Sequence, residues 1–161
     1  MLEFYFDFLD KFVDRRDFEL IQIDTDSNYM AISGAKLEDV VKPEMRAQFE
    51  AEKKQWLAWD KWRSRTPGLF KLECEGHRMI ALRTKCYFVD ADGGKSKFST
   101  KGMNQRQNVI RWERFKAATE GHKDMATNTG FRMRDGRMMT YVQQKLGLSA
   151  YYETIEYHIP H

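Results

Sequence analysis

The fold is decided by one stretch near the start of the chain: Phe18-Glu19-Leu20-Ile21-Gln22-Ile23-Asp24-Thr25-Asp26-Ser27-Asn28-Tyr29-Met30-Ala31-Ile32-Ser33. The first six and the last six of these residues have the composition of strands. Between them, the segment 24–27 consists of residues that favour tight turns. Two such strands around a tight turn predict an antiparallel hairpin with Asp24 and Asp26 at its tip.

The residues before this hairpin predict a helix. Between Leu2 and Arg16, apolar side chains recur at helical spacing and form one stripe, which consists of Leu2, Phe6, Leu9 and Val13, widened by Phe8 and Phe12. We therefore expect a helix with one buried face that ends near Asp17.

Downstream of the hairpin, helical and extended patterns alternate. The charged stretch from Leu37 to about Trp62 predicts a helix whose main part starts near Pro43, because proline is tolerated in a first turn. Thr66-Pro67-Gly68 predicts a break. The further predicted elements are strands at 70–75, 79–82 and 86–89, a turn at 92–94, and a helix at 108–119. From Phe131 onward, the sequence gives only a weak indication of secondary structure.

The composition fits a folded intracellular chain of one domain or two small subdomains. Of 161 residues, 42% are hydrophobic and 14% are aromatic, which is enough for a packed core. No apolar run approaches the roughly 20 residues of a membrane span, and the start lacks the basic region of a signal peptide, so we expect no membrane partner. The two cysteines, Cys74 and Cys86, are too few for a disulfide framework or a zinc site, and we expect both to be reduced.

Charge is distributed unevenly along the chain. Residues 1–60 contain 8 Lys/Arg and 14 Asp/Glu, a net of −6, whereas residues 95–145 contain 12 Lys/Arg and 4 Asp/Glu, a net of +8. A basic stretch interleaved with aromatic residues suits a polyanionic partner such as nucleic acid. A solvated charged surface explains the same counts, and composition alone does not separate the two.

The acidic turn suggests metal chemistry. Hard cations such as Mg²⁺ prefer oxygen ligands, commonly a few carboxylates together with substrate phosphates. Asp24 and Asp26 would form part of such a site, and a two-metal site would need a further carboxylate from elsewhere. The alternative is a structural turn in which the aspartates accept backbone hydrogen bonds.

The segment Ile23-Asp24-Thr25-Asp26-Ser27 resembles the Asp-Thr-Asp-Ser motif at the palm hairpin of family B DNA polymerases. The resemblance implies that Asp26 is the principal ligand of catalytic Mg²⁺, with Mn²⁺ as the alternative ion, and that Asp24 supports the site. The family often has a tyrosine two residues before the first aspartate, where this chain has Gln22.

Two later segments resemble primer-binding motifs of the same family. Thr84-Lys85-Cys86-Tyr87 is similar to its Lys-x-Tyr motif, which implies that Lys85 and Tyr87 hold the primer terminus. Ser99-Thr100-Lys101-Gly102-Met103, followed by Arg106, resembles the Lys-Gly segment that leads from palm to thumb. There Lys101 and Arg106 would neutralise duplex phosphates, and Gly102 would permit a close backbone approach or a positive φ.

The tail, residues 124–137 and 143–149, resembles the C-terminal segments of Polinton-type polymerases, which are relatives of protein-primed viral enzymes. This resemblance implies that Arg132, Arg134 and Arg137 face DNA, and it adds a terminal protein primer to the expected partners. A generic basic surface is the alternative for these arginines.

Together, these resemblances imply an α+β fold. Residues 1–98 would form an antiparallel palm sheet with flanking helices, and residues 99–161 would form a mostly helical thumb portion. The implied partners are primer–template DNA and deoxynucleoside triphosphates, and the implied location is intracellular and DNA-associated, nuclear in a eukaryote. The earlier metal-binding aspartate motif and the Lys-rich helix with Asn-Ser-x-Tyr-Gly are missing from this sequence. We therefore expect a polymerase fragment that is inactive by itself.

Two other functions compete with this hypothesis. Asp24-Thr25-Asp26 also satisfies the Asp-x-Asp metal motif of nucleotide-sugar glycosyltransferases, although only about twenty residues precede it, fewer than an α/β nucleotide-binding unit requires. A basic DNA-binding module with a purely structural acidic turn is the non-enzymatic alternative. Such a module would bind DNA without Mg²⁺ and would keep that affinity after Asp26→Asn.

Overall fold

The computed structural model describes residues 1–91 and 95–150. The chain forms two compact units, Met1–Cys74 and Glu75–His161. Both units combine antiparallel strands with helices, so the predicted α+β class is confirmed. The predicted turn at 92–94 lies outside the described residues. Among the helices that the structure describes, none is both long and apolar enough to cross a membrane.

The first unit begins with helix α1, in which a π-helical segment, Phe4–Leu9, continues into an α-helical turn, Asp10–Phe12. The predicted helix is confirmed, but it ends before Arg16. Its buried face also differs from the predicted stripe, because Leu2 and Phe6 are exposed and Phe4 is buried. Val13 is extended and forms a β-bridge with Val41, which stops the helix at that point.

An aromatic core fills the first unit. Phe4, Phe8 and Phe12 recur every four residues along α1, and all three are buried. Phe8 and Phe12 contact Phe49 from helix α2, Arg46–Trp56, with ring centroids 5.6 and 5.5 Å away. Full burial of one phenylalanine stabilises by roughly 1.5–3 kcal/mol, so these rings outweigh the exposed ion pairs of the unit, at up to about 1 kcal/mol each.

The predicted hairpin is present. Strands β1, Phe18–Ile23, and β2, Asn28–Ile32, pair in antiparallel fashion. Phe18 pairs with Ile32, and both side chains pack in the aromatic core. A bulge after Leu20 shifts the register just before the acidic turn.

The segment after the hairpin is only partly the helix that the sequence predicts. Two 3₁₀ turns, Leu37–Val40 and Pro43–Met45, precede α2, so Pro43 does stand in a first turn. Helix α2 ends at Trp56, and the following loop contains one more 3₁₀ turn, Arg63–Arg65.

The predicted strand at 70–75 is wrong. Phe70 forms a single β-bridge with Leu57, and residues 71–75 are irregular. Leu72 is 74% exposed. Alternation of apolar and charged residues produces a strand only where a second strand is available for pairing. No strand of the described chain pairs with this segment.

A three-stranded antiparallel sheet opens the second unit. Its strands confirm the predictions at 79–82 and 86–89, and they pair in the order β3-β4-β5. Their bounds are β3, Arg78–Arg83, β4, Cys86–Asp90, and β5, Lys97–Thr100.

Helix α3, Trp112–Thr119, packs on this sheet. Phe115 is fully buried, with its ring centroid 5.6 Å from that of Phe88 on β4. The helix predicted at 108–119 is confirmed over its later part. Its first residues form a loop because the side chain of Asn108 bonds to backbone outside the helix.

A long hairpin completes the described chain. Strands β6, Met125–Arg134, and β7, Arg137–Leu146, pair over ten residues each, and we call this hairpin the arm. Its two-residue turn, Asp135 and Gly136, has positive φ at both positions, which matches the twist of the strands. The prediction of a mostly helical thumb portion is therefore wrong for the described residues. The sequence did not predict these strands because residues 131–140 are exposed on both faces. Apolar and polar residues therefore do not alternate there.

The predicted boundary between the palm portion, 1–98, and the thumb portion, 99–161, falls within β5. The compact units divide instead between Cys74 and Glu75. The assignment of palm and thumb stays a prediction.

Candidate metal and nucleic-acid sites

The acidic turn closes the β1–β2 hairpin. The backbone N–H of Asp24 donates to the Ser27 carbonyl at 2.9 Å. Oδ1 of Asp24 accepts the Thr25 N–H at 2.8 Å, and Oδ1 of Asp26 accepts the Ser27 hydroxyl at 3.3 Å. Asp26 is exposed, whereas Asp24 is half-buried. Asp24 thus supports the turn, and Asp26 carries its carboxylate at the exposed tip.

This donor set fits part of a hard-cation site. Within residues 1–91 and 95–150, no cluster of three or more acidic, histidine or cysteine side chains is arranged to hold a metal ion. Mg²⁺ commonly takes one or two protein carboxylates and completes its octahedron with water and substrate phosphates. The carboxylates of Asp24 and Asp26 can supply that share to Mg²⁺ or Mn²⁺.

Two polar side chains that flank the acidic turn were missed as functional candidates. Both amide atoms of Gln22 and the Oδ1 of Asn28 are buried, and they lack a hydrogen-bond partner among the described residues. Gln22 lies opposite Tyr29, and Asn28 lies opposite Ile23. A buried unsatisfied polar group is destabilising by about 1–3 kcal/mol. The hairpin end next to the acidic turn therefore carries polar groups that packing alone does not explain.

Lys85 occupies a special backbone position. It belongs to the two-residue turn between β3 and β4 and has a φ of 60°, in the left-handed region that disfavours side chains with a Cβ. Its carbonyl accepts the Lys101 N–H and the Ser99 hydroxyl, both at 3.0 Å. The structure thus brings the Lys85 turn next to the predicted Lys-Gly segment.

Tyr87 lies in the middle of the same sheet. It pairs with Ala81 on β3 and with Ser99 on β5, and it is only 9% exposed. A contact between the phenol and a primer terminus stays a prediction.

Gly102 has a φ of 80°, as the predicted positive φ requires. Its carbonyl accepts a hydrogen bond from the Asn128 amide at 2.8 Å. A Cβ at position 102 would lie 3.1 Å from Nζ of Lys145. The ammonium of Lys145 therefore lies close to the Lys101-Gly102 segment, a cation that the sequence alone did not single out.

Amide side chains join the following loop to the edge of β6. Asn108 donates to the Thr127 carbonyl at 2.8 Å and accepts the Thr127 N–H at 3.0 Å. Gln107 accepts the Thr129 N–H at 2.7 Å. These side chains take the place of a neighbouring strand along the base of the arm. Arg106, within the same loop, is exposed.

The outer half of the arm carries the three predicted arginines. Arg132, Arg134 and Arg137 are all exposed. The guanidinium of Arg132 lies 5.5 Å from the ring centroid of Tyr141. Gly130 makes room for that ring, because a Cβ there would come within 3.0 Å of it. Tyr141 thus supports Arg132 on one side of the arm.

An ion pair fixes the start of the arm. Arg114 donates two hydrogen bonds to the Asp124 carboxylate, at 2.9 and 2.8 Å. The same carboxylate accepts the Leu148 N–H at 3.1 Å. It therefore connects helix α3 to the residues just before β6 and just after β7. Gly147 is required beside it, because a Cβ there would lie 2.5 Å from the carboxylate.

Two groups in the second unit, the Asp90 carboxyl and the Cys86 thiol, have shifted pKa values. The hydrogen bond from Arg78 lowers the pKa of the Asp90 carboxyl, and the two atoms involved, Nε and Oδ2, are 2.7 Å apart. Burial raises the pKa of the Cys86 thiol. Neither Cys74 nor Cys86, both described residues, forms a disulfide. A buried thiol with a raised pKa is a packing residue and not a nucleophile.

The candidate residues fall into two sets. Asp24 and Asp26 belong to the first compact unit, and the other eight belong to the second. Within the second unit, Lys85 lies next to Lys101-Gly102, and the three arginines lie on the arm. Comparisons of the chain with protein-family models, with curated proteins and with solved structures found no match.

Proposed function

We propose that this chain supplies the palm metal hairpin and the primer-binding segments of a family B DNA polymerase. The observation that carries the proposal is the acidic turn at the tip of an antiparallel hairpin, with the Asp26 carboxylate exposed and the Asp24 carboxylate bonded into the turn. The order of the motifs along the chain supports it, because the Lys-x-Tyr and Lys-Gly segments follow the hairpin and adjoin each other.

In this proposal the two aspartates hold a divalent cation against the incoming triphosphate. Such a cation neutralises charge that develops during transfer of the nucleotidyl group. Asp26 supplies the ligand oxygen, and Asp24 keeps the turn in place through its bond to the Thr25 N–H.

The second unit positions the nucleic acid. Lys85 and Lys101 are exposed cations on adjoining backbone segments, as a primer phosphate would require. The arm adds Arg132, Arg134 and Arg137, which would contact duplex phosphates beyond the primer end. Each of these contacts is independent of base sequence.

Metal binding by the chain itself tests the first half of the proposal. Titration with Mn²⁺ should broaden the backbone amide NMR signals of residues 24–28, and Asp26→Asn should abolish that broadening. Asp135→Asn is the matched control, because it removes an exposed turn aspartate from the other unit. Equal broadening in wild type and Asp26→Asn would sink the metal assignment.

Catalysis is tested in a complete polymerase that contains these segments. Asp26→Asn should abolish nucleotide incorporation and leave DNA binding unchanged, since it removes a metal ligand and no phosphate contact. Lys85→Ala should instead weaken binding of the primer terminus. Near-normal incorporation by Asp26→Asn, or unchanged primer affinity of Lys85→Ala, would contradict the respective role.

A DNA-binding module without catalysis is the second candidate. The arm favours it, because the two strands contain Arg132, Arg134, Arg137 and Lys145 and no acidic residue. Such a module would bind duplex DNA equally well in EDTA and in Mg²⁺, and Asp26→Asn would not change that affinity. Loss of duplex binding in EDTA would exclude the module.

A further inference from the structure

The loop that follows α2 is pinned at both ends. The Ala58 N–H donates to the Phe70 carbonyl, and the Phe70 N–H donates to the Trp56 carbonyl, each at 2.7 Å. Residues 58–69 therefore leave the end of α2 and return to the same point. A compact loop with adjoining ends is of the Ω type, a class that frequently carries function. We call these residues the tryptophan loop.

The tryptophan loop is also ordered from within. The Asp60 carboxylate accepts the Arg63 N–H at 2.7 Å, and the Asp60 carbonyl accepts the Ser64 N–H at 3.1 Å. The Ser64 hydroxyl donates to the Lys61 carbonyl at 2.6 Å. These bonds hold the 3₁₀ turn Arg63–Arg65 in the middle of the loop. The side chains on this turn are thus presented by a defined backbone.

Two indole rings lie on the surface of this loop. Trp62 is 90% exposed and Trp59 is 49% exposed. The guanidinium of Arg63 lies 5.2 Å from the Trp59 ring centroid, and Nζ of Lys54 lies 5.7 Å from it. Folding gains nothing from the surface of Trp62 that remains in water. An ordered loop that keeps its largest apolar side chain in water suits contact with a partner.

The charges of the loop specify the partner. The loop contains three cationic residues, Lys61, Arg63 and Arg65. It contains a single acid, Asp60, whose carboxylate accepts a hydrogen bond from the loop backbone. The side chains of Lys61 and Arg65 form no hydrogen bond or ion pair with any described residue. Cations beside exposed aromatic rings are the combination that binds single-stranded nucleic acid, in which phosphates meet the cations and unstacked bases stack on the rings.

We propose that the tryptophan loop binds single-stranded nucleic acid, with one base stacked on Trp62 and the flanking phosphates held by Lys61 and Arg65. A duplex is a poorer occupant, because its bases are already stacked on each other. A bilayer is also a poorer occupant: apart from the two tryptophans, the loop exposes no large apolar side chain for insertion. This inference does not rest on nucleotidyl transfer, and the loop contains neither Asp24 nor Asp26.

The stacking contact is tested by binding of the full chain to a fluorescently labelled oligo(dT) of about 16 nucleotides, a common site size for such proteins. At low salt, Trp62→Ala should weaken binding about tenfold, within the range found for removal of one stacking ring. Trp62→Phe should restore most of the affinity because it keeps an aromatic face. Phe6→Ala is the matched control, since Phe6 is 60% exposed in the same unit and lies outside the loop. Unchanged affinity of Trp62→Ala, or no binding by the wild type, would overturn the proposal.

The phosphate contacts are tested by salt dependence. For single strands, the slope of log affinity against log salt is about −0.7 per neutralised phosphate. The double variant Lys61→Ala/Arg65→Ala should therefore make the slope shallower by about 1.4. Arg46→Ala, an exposed cation on α2, should leave it unchanged. An identical slope in wild type and double variant would refute the role of these cations.

Two parallel titrations distinguish single-stranded nucleic acid from the two other candidate ligands of the loop, a duplex and a membrane. A hairpin duplex of equal phosphate number should bind Trp62→Ala as well as it binds the wild type; an equal loss for duplex and single strand would refute base stacking. Vesicles of phosphatidylserine and phosphatidylcholine should show no dependence on Trp62. Vesicle binding that requires Trp62, without oligonucleotide binding, would replace this proposal by a membrane contact. Asp26→Asn should leave oligonucleotide binding intact, so failure of the metal site and failure of this loop are separable.

Discussion

The two hairpins share a topology but differ in burial and charge. The β1–β2 hairpin packs Phe18 into the aromatic core and ends in two aspartates. The arm has Arg134 and Arg137 on either side of its Asp135-Gly136 turn, and it exposes Phe131 to 75%. An isolated two-stranded hairpin is marginally stable in water. The first hairpin is therefore stabilised by its inner face. The arm is held at its base by polar contacts and by the burial of Ala126 in the core of the second unit.

The largest expected effect comes from the matched phenylalanines of the two hairpins. Phe18→Ala should lower the free energy of unfolding by about 3–5 kcal/mol, because Phe18 is 7% exposed and its removal leaves a cavity. Phe131→Ala should change it by less than about 0.5 kcal/mol. Urea denaturation followed by circular dichroism measures both. Similar losses for the two variants would show that the arm also packs through its apolar side chains.

Removal of the ion pair between Arg114 and Asp124 tests how much the polar contacts at the base of the arm stabilise the protein. Asp124→Asn should lower the free energy of unfolding by about 2 kcal/mol, because it weakens two hydrogen bonds from a guanidinium and one from the Leu148 N–H. Arg134→Ala is the comparison, since its ion pair with Asp135 is exposed and should contribute at most about 0.5 kcal/mol. Thermal unfolding of both variants checks this, and equal shifts would contradict a special role for the base.

The turn of the arm should have a smaller, local effect. Gly136 has a φ of 72° with open space around it, so Gly136→Ala meets backbone strain without a clash. We expect a loss of about 1 kcal/mol. Amide hydrogen exchange should accelerate in β6 and β7 and stay unchanged in β1 and β2. Faster exchange in both hairpins would show that they unfold as one cooperative unit.

The smallest effect concerns pH. Because Arg78 lowers the pKa of Asp90, this pair stabilises the fold above the ordinary carboxyl pKa, near 4, and the contribution is lost as pH falls through the lowered value. Asp90→Asn should therefore flatten the decline in stability between pH 5 and pH 2 by a small amount. Arg78→Ala should flatten it equally, and the double variant no further. An unchanged profile in Asp90→Asn would show that the pair makes no net contribution.

The sequence predicted the elements whose pattern is local and whose inner face is buried. Strand β1 was predicted with its observed bounds, and the acidic turn with its residues, because two strand-like segments flank a block of turn formers there. The positive φ of Gly102 was likewise predictable, since glycine is the residue that such a position favours.

The helix ends that the sequence did not predict are determined by contacts with residues distant in the chain. The end of α1 is set by the bridge between Val13 and Val41, and the start of α3 by bonds between Asn108 and Thr127. The arm was not predicted, although Asp135-Gly136 is a strong hairpin signal. The outer halves of its strands have no buried face, so their apolar residues do not alternate with polar ones. Of the candidate site, the turn geometry was predictable, but the neighbourhood of Lys145 and Gly102 was not.

The amide contacts along β6 also cover the edge of this strand. Asn108 holds both the N–H and the carbonyl of Thr127, so a strand from another molecule cannot pair at that position. Deamidation of Asn108 would replace the donor by a carboxylate oxygen facing the Thr127 carbonyl, and the two would repel. That change would leave the Thr127 carbonyl at this strand edge without the donor that now covers it, while the Thr127 N–H would keep an oxygen acceptor.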